Sequence, residues 1–255
     1  MALLRPAQLI AKEEGRPASL PPGLRIYAIG DIHGRLDLLD DLSQQIRTDL
    51  GSAPADVLTI FLGDYVDRGP ESAGVLERLS RADFPTPIQT VRGNHEEVVM
   101  QFFEDETVLA SWRRFGGLEM LHSYGVDVTE ARRGLGYDRA QNSLAARMPP
   151  EHRMFLEQTG LTASYGDYFF CHAGVRPGVP LERQAPKDLL WIREDFLQFK
   201  GSWSKIIVHG HTPVPAPEIL PNRINVDTGA FATSILTALV LEGAERRFLM
   251  TAKSA

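Results

Sequence analysis

Apolar residues in this chain come in short runs that stop abruptly at small or polar positions. Leu24–Ile29 ends at Gly30-Asp31, Val57–Leu62 at Gly63-Asp64, and Ile88–Val91 at Arg92-Gly93-Asn94-His95. Tyr168–Cys171 ends at His172, and Ile206–Val208 at His209-Gly210-His211. Runs of this length, rich in β-branched and aromatic side chains, predict buried strands. Helices are predicted after the first three. Leu36, Leu39, Leu42, Ile46 and Leu50 lie three or four residues apart, with Asp40, Asp41, Gln44 and Gln45 on other faces. Val75, Leu76 and Leu79 repeat the pattern after Pro70, and a third helix runs from Glu96. Alternating strand and helix predicts an α/β fold with parallel connections early in the chain. Ligands of such sheets sit at the carboxyl ends of the strands, where every polar cluster named above falls. Ile224–Val226, Ile235–Leu241 and Arg246–Met250 read as strands with short connections, so the sheet is expected to be mixed.

Two segments depart from this rhythm. Residues 97–160 are charge-rich and helical in character, with Trp112, Phe115, Leu118 and Leu121 near helical spacing, and they lie between two site-forming strands. Such an insert is either a structural cap or a lid that sets specificity. As a lid, it would make substitutions at Trp112, Arg113 or Arg114 change substrate discrimination more than turnover of a small aryl phosphate. Residues 1–22, ending at Pro21-Pro22, are expected to form a flexible tail ahead of one domain over residues 23–255.

The 255 residues suit one large α/β domain. A net charge of −6 argues against a broad basic field for nucleic acid, so any phosphate recognition must be local. The first apolar stretch is broken by Arg5, Pro6 and Gln8, which predicts neither a signal peptide nor a membrane span. The single cysteine, Cys171, excludes an internal disulfide and suits a reducing compartment, so a cytoplasmic location is expected. Beside His172, it reads as a buried strand residue.

Five clusters concentrate metal-ligating side chains: Gly30-Asp31-Ile32-His33-Gly34, Gly63-Asp64-Tyr65-Val66-Asp67-Arg68-Gly69, Arg92-Gly93-Asn94-His95-Glu96, His172-Ala173-Gly174 and His209-Gly210-His211-Thr212. Five of the seven histidines fall in them; His122 and His152 lie outside and read as ordinary. Carboxylate, imidazole and amide oxygen together suit manganese, iron or zinc better than calcium. With no cysteine in the clusters, a closed structural zinc site is not expected. A bridging carboxylate can hold two cations about 3.5–4 Å apart, the spacing that clamps attacking and leaving oxygens in line.

The order GDIHG, GDYVDRG, RGNHE, HAG, HGHT over about residues 24–241 resembles the calcineurin-like metallophosphoesterases, and among them the phosphoprotein phosphatases of bacteria and phage. The resemblance implies two packed mixed sheets flanked by helices, with a helical insert, and a centre of two divalent cations, manganese before iron or zinc. It implies that Asp31 and His33 bind the first metal, that Asp64 bridges, and that Asn94, His172 and His211 complete the second site. His95 would be the general acid, oriented by Asp67, with Arg68 gripping the phosphate. A second phosphate-binding arginine is expected before the last histidine motif; Arg193 is the candidate and Arg176 its competitor. Of the pair in HGHT, His211 matches the ligand and His209 reads as structural. Pro213 stands where sister families place a further histidine, which implies more water on the first metal.

Two cations would lower the pKa of a shared water, Arg68 would offset charge growing on the phosphate, and His95 would protonate the leaving oxygen. The leading expectation is a serine/threonine protein phosphatase acting on phosphoproteins or small phosphate esters. The alternative is a symmetrical dinucleoside polyphosphate hydrolase, which shares these motifs. A fold that lost catalysis and serves as an interaction scaffold is the third reading, disfavoured because all six ligand positions are filled.

Overall fold

A computed structural model of the chain describes residues 17–251. The early alternation is present as β1 (Leu24–Ile29), α1 (Leu36–Asp49), β2 (Asp56–Phe61), α2 (Ser72–Ser80), β3 (Ile88–Thr90) and α3 (Asn94–Glu104). Helices α4 (Leu109–Trp112), α5 (Gly117–Ser123), α6 (Thr129–Arg132), α7 (Tyr137–Arg147) and α8 (Pro150–Gln158) follow with no strand between them. The chain continues through β4 (Thr162–Tyr165), β5 (Tyr168–Cys171), α9 (Pro186–Trp191), α10 (Glu194–Leu197) and β6 (Ile206–His209). It ends in β7 (Glu218–Ile219), β8 (Arg223–Asn225), α11 (Ala230–Thr233), β9 (Thr237–Glu242) and β10 (Glu245–Met250).

The strands form two mixed sheets, ordered β10-β9-β1-β2-β3 and β4-β5-β6-β8-β7. In the first, β1, β2 and β3 run parallel and β9 and β10 antiparallel; in the second, β5, β6 and β8 run parallel. Each strand divides its side chains between two cores because successive residues face opposite sides. Ile26 and Ala28 of β1, Tyr168 and Phe170 of β5, and Val208 of β6 meet between the sheets. Tyr27 and Ile29 face outward onto Leu39 and Leu42 of α1 and Val75 and Leu76 of α2. Phe169, Cys171 and Ile207 face the other way, onto Leu189, Ile192 and Phe196. Both faces are covered, so the strands read as unbroken apolar runs. Burying one such side chain is worth about 1.5–3 kcal/mol, and a one-residue slip would exchange every partner at once. Cys171 is fully buried, and burial pushes its thiol up, away from reactivity.

The insert continues the core on the outer face of the first sheet, contributing Trp112, Met120, Leu121, Leu144 and Leu156. A parallel bridge between Val91 and Gly160 closes it. The helical spacing of Trp112, Phe115, Leu118 and Leu121 does not make one helix. The chain turns between α4 and α5, and Phe115 is left 58% exposed in that turn.

The tail expected over residues 1–22 is tied down where it is described. Residues 1–16 lie outside the described residues. Beyond them, Ala18 and Leu20 are buried between the sheets. The Tyr168 hydroxyl donates to the Ala18 carbonyl (3.1 Å), and the Leu20 N–H to the Gly243 carbonyl (2.8 Å). Among the described residues, no helix is long and apolar enough to cross a membrane.

Candidate metal and phosphate site

The polar clusters converge at the carboxyl ends of β1, β2, β5, β6 and β8 and at the start of α3. Their loops bend sharply, and the bends fall on functional side chains. His33, Asp64, Asp67, Arg68 and His211 all have φ between +47° and +72°, a region that costs a non-glycine residue about 1–3 kcal/mol and persists only where surroundings enforce it. Gly93 permits a close approach: a Cβ there would lie 2.1 Å from Asp64 Oδ1.

Two groups of ligand atoms form, each with its atoms within 4.8 Å of one another: His33, Asp64 and His95, and Asp64, His172 and His211. Asp64 belongs to both. His33 Nδ1 lies 2.8 Å from the Val66 carbonyl and His172 Nδ1 lies 2.9 Å from that of Leu62. A carbonyl only accepts, so each Nδ1 carries a proton, which leaves Nε2 as the ring atom that can face a metal once it is unprotonated. His33 Nε2 has no hydrogen-bond partner and faces Asp64 Oδ2 at 3.5 Å. His172 Nε2 faces Asn94 Oδ1 at 3.0 Å, His211 Nδ1 at 3.1 Å and Asp64 Oδ1 at 3.3 Å. Asn94 Oδ1, His211 Nδ1 and Asp64 Oδ1 are acceptors gathered round one point, a crowding that is unfavourable unless a proton on His172 Nε2 or a metal cation lies among them. Burial pushes His33 down to about 3 and His211 down to about 2, so both are neutral ligand-type imidazoles. Burial opposes charge on His172 too, but Asp64 and Asp31 outweigh it and push it up to about 10. That negative excess is what divalent cations would offset. The donor set therefore fits a dinuclear divalent centre.

Asp31 lies outside both groups in this geometry. Its carboxylate accepts the His211 backbone N–H at 3.1–3.2 Å, and burial, with Asp227 next, holds it well above the usual carboxylate range. His209 is also outside. Its Nδ1 lies 3.1 Å from the Gly210 carbonyl, its ring packs on Phe196 at 4.8 Å, and burial pushes it down to about 3.

On the phosphate side, His95 Nδ1 lies 2.5 Å from Asp67 Oδ2, and His95 Nε2 lies 3.2 Å from Arg68 Nη2. Burial works against a charged His95, but Asp64 and Asp67 outweigh it, so the ring is held above its ordinary range. Arg176 is committed elsewhere, paired with Asp188 at 2.6 Å and Asp195 at 2.9 Å. Arg193 makes no ion pair among the described residues, is exposed, and its charge lowers His211.

Several residues beside the centre were not singled out from sequence. Glu96 is fully buried and accepts four backbone N–H groups, from Gly93, Asp64, Tyr65 and Val66. Asp227, which follows β8, has a buried Oδ2 with no partner, and burial pushes it up to about 6. Its signal was present: Ile224–Val226 also stops at an aspartate, followed by Thr228-Gly229. Phe231 lies under the Arg68 guanidinium at 4.5 Å and edge-on to His33 at 5.5 Å.

The calcineurin-like phosphoesterase profile matches residues 24–234. A bis(5'-nucleosyl)-tetraphosphatase PrpE [asymmetrical] of Anoxybacillus flavithermus is 26% identical over 231 residues, covering 83% of this chain and 88% of the relative. A putative diadenosine tetraphosphatase superposes with a TM-score of 0.63 at 19% identity, covering 93% of this chain and all of the other. A cold-active protein-tyrosine phosphatase of a psychrophilic Shewanella superposes with a TM-score of 0.54 at 17% identity, covering 91% and 83%. With the profile covering most of the chain and every polar cluster at a strand end, this chain belongs to the calcineurin-like phosphoesterase family.

Proposed function

We propose that this chain is a dinuclear metal-dependent hydrolase of dinucleoside polyphosphates, splitting a tetraphosphate asymmetrically into a nucleoside triphosphate and a nucleoside monophosphate. The carrying observation is that Asp64 is shared between His33 on one side and His172 and His211 on the other, with His95 and Arg68 beside it. The substrate class follows the curated relatives, which favour the dinucleoside polyphosphate reading over a serine/threonine protein phosphatase; their names also favour asymmetrical over symmetrical cleavage. Asp31, His33, Asp64, Asn94, His172 and His211 would hold the cations, manganese being the leading choice among metals these donors suit. When bound, such cations lower the pKa of water and supply hydroxide at neutral pH. Arg68 and Arg193 bind phosphate oxygens and offset the charge that grows on them. His95 holds the proton that passes from Nε2 to the leaving oxygen, while Asp67 fixes the ring by accepting from Nδ1.

The test compares diadenosine tetraphosphate with phosphoserine, phosphothreonine and phosphotyrosine peptides, using manganese-loaded protein and chromatography of the nucleotide products. ATP and AMP in equal amounts are expected, with kcat/KM above that of every peptide. Faster turnover of a phosphopeptide would return the reading to a protein phosphatase, and ADP as the sole product would overturn the cleavage position.

A further inference from the structure

The proton-transfer side of the site is built partly by the insert. The indole of Trp112, 2% exposed and packed on Phe102 at 5.1 Å, donates Nε1–H to Asp67 Oδ2 at 2.6 Å. This is the same oxygen that faces His95 Nδ1 at 2.5 Å. The other carboxylate oxygen, Asp67 Oδ1, is buried with no partner. The two bonds to Oδ2 therefore set the plane of the carboxylate. With the indole bond removed, the group can turn about its Cβ–Cγ bond, and Oδ1 competes for the His95 proton.

The same stretch of insert also holds the phosphate arginine. The Gly116 carbonyl accepts the Arg68 N–H at 3.3 Å. Gly116 has φ +104°, open only to glycine without strain, and a Cβ there would lie 2.3 Å from Arg68 N. Residues 112–117 thus touch Asp67 by side chain and Arg68 by main chain, across a gap of about 45 residues of sequence. A cap over a sheet needs neither contact.

We infer that Trp112 is a positioning residue for the His95–Asp67 pair, acting through the indole N–H. This rests on the reading of His95 as proton donor. A residue that aims a proton donor matters in proportion to how much the leaving oxygen needs the proton. Phenolate is far more basic than p-nitrophenolate and leaves less readily unaided.

The experiment replaces Trp112 by 3-benzothienylalanine, which keeps ring size and shape but exchanges N–H for sulfur, with Trp112→Phe and His95→Asn alongside. The readouts are kcat/KM on phenyl phosphate and p-nitrophenyl phosphate, bound metal, and the thermal midpoint. General acid catalysis is worth about 10²–10⁴-fold, and loosening the donor should cost about tenfold more on phenyl phosphate than on p-nitrophenyl phosphate. Metal content of the benzothienyl protein should match wild type, and its thermal midpoint should fall only by the roughly 2–12 °C that one lost buried hydrogen bond costs. If Trp112→Phe fails to fold, the benzothienyl isostere decides alone. Equal activity losses on the two esters, or no loss, while His95→Asn remains selective for phenyl phosphate, would overturn the positioning role only. Equal losses for His95→Asn itself would remove the proton-donor reading and this inference with it.

Discussion

Replacing Glu96 by glutamine should loosen the turn that carries Asp64, Asp67 and Arg68, and the size of the effect can be worked from its bonds. Oε2 accepts the N–H of Asp64 (2.8 Å) and of Gly93 (2.8 Å), and Oε1 accepts that of Tyr65 (2.7 Å) and of Val66 (3.3 Å). The site is fully buried. Glutamine keeps one acceptor oxygen and turns an NH₂ toward two backbone donors. A buried donor left unsatisfied costs about 1–3 kcal/mol, so two imply a loss of about 2–6 kcal/mol. Against a total of about 5–15 kcal/mol the variant should still fold. For a chain of this size each kcal/mol lowers the midpoint by about 2–4 °C. Urea unfolding of chelated protein is the assay, because the loss arises in the turn and should appear without metal. The control is Glu97→Gln on the same helix, whose carboxylate makes a partly buried pair with Arg92 at 3.1 Å and should cost about 0–1 kcal/mol. A Glu96→Gln protein within about 0.5 kcal/mol of wild type, the range of ordinary surface changes, would refute the reasoning.

Asp64→Asn should bind fewer ions than wild type, which is expected to hold two per chain, because one carboxylate serves both groups of acceptors. Elemental analysis of both proteins checks this, and wild-type saturation at one ion per chain would sink it. Asp49 links the edge of the first sheet, accepting from Tyr27 (2.7 Å), Arg25 (2.9 Å) and Arg247 (2.6 Å). Burial pushes its carboxyl up, but these partners outweigh burial and hold it below the ordinary range. A depressed folded value means its contribution is complete above about pH 4 and is lost as pH falls through the folded value. Asp49→Asn should therefore flatten the fall in stability below about pH 4, and an unchanged slope in acid titrations of unfolding would contradict it.

Much of this protein was legible in the order of its residues. Apolar runs ending in Gly-Asp, Asn-His or His located the strands and the rim on which ligand side chains collect, because a strand buried on both faces must be apolar until it leaves the sheet. Glu96 and Trp112 show what the order could not convey. Glu96 lies within a recognised cluster, yet nothing local says that its carboxylate collects four N–H groups from a turn 31 residues earlier and from its own helix start. Trp112 reads as one apolar position in a helical repeat. Only the turn at Gly116, which breaks that repeat, sends its indole down to Asp67 while leaving Phe115 in solvent. Residues 17–22 looked like the end of a tail, being short and rich in proline, yet Ala18 and Leu20 are packed, because Tyr168 of β5 and Gly243 of the β9–β10 turn offer bonds from far along the chain. Periodicity and motif order are properties of neighbours along the chain, and they determined the strands, the helices and the ligand types. Which oxygen faces which proton depends on groups brought together from far apart in sequence, and that only the packing of the two sheets and the insert decided.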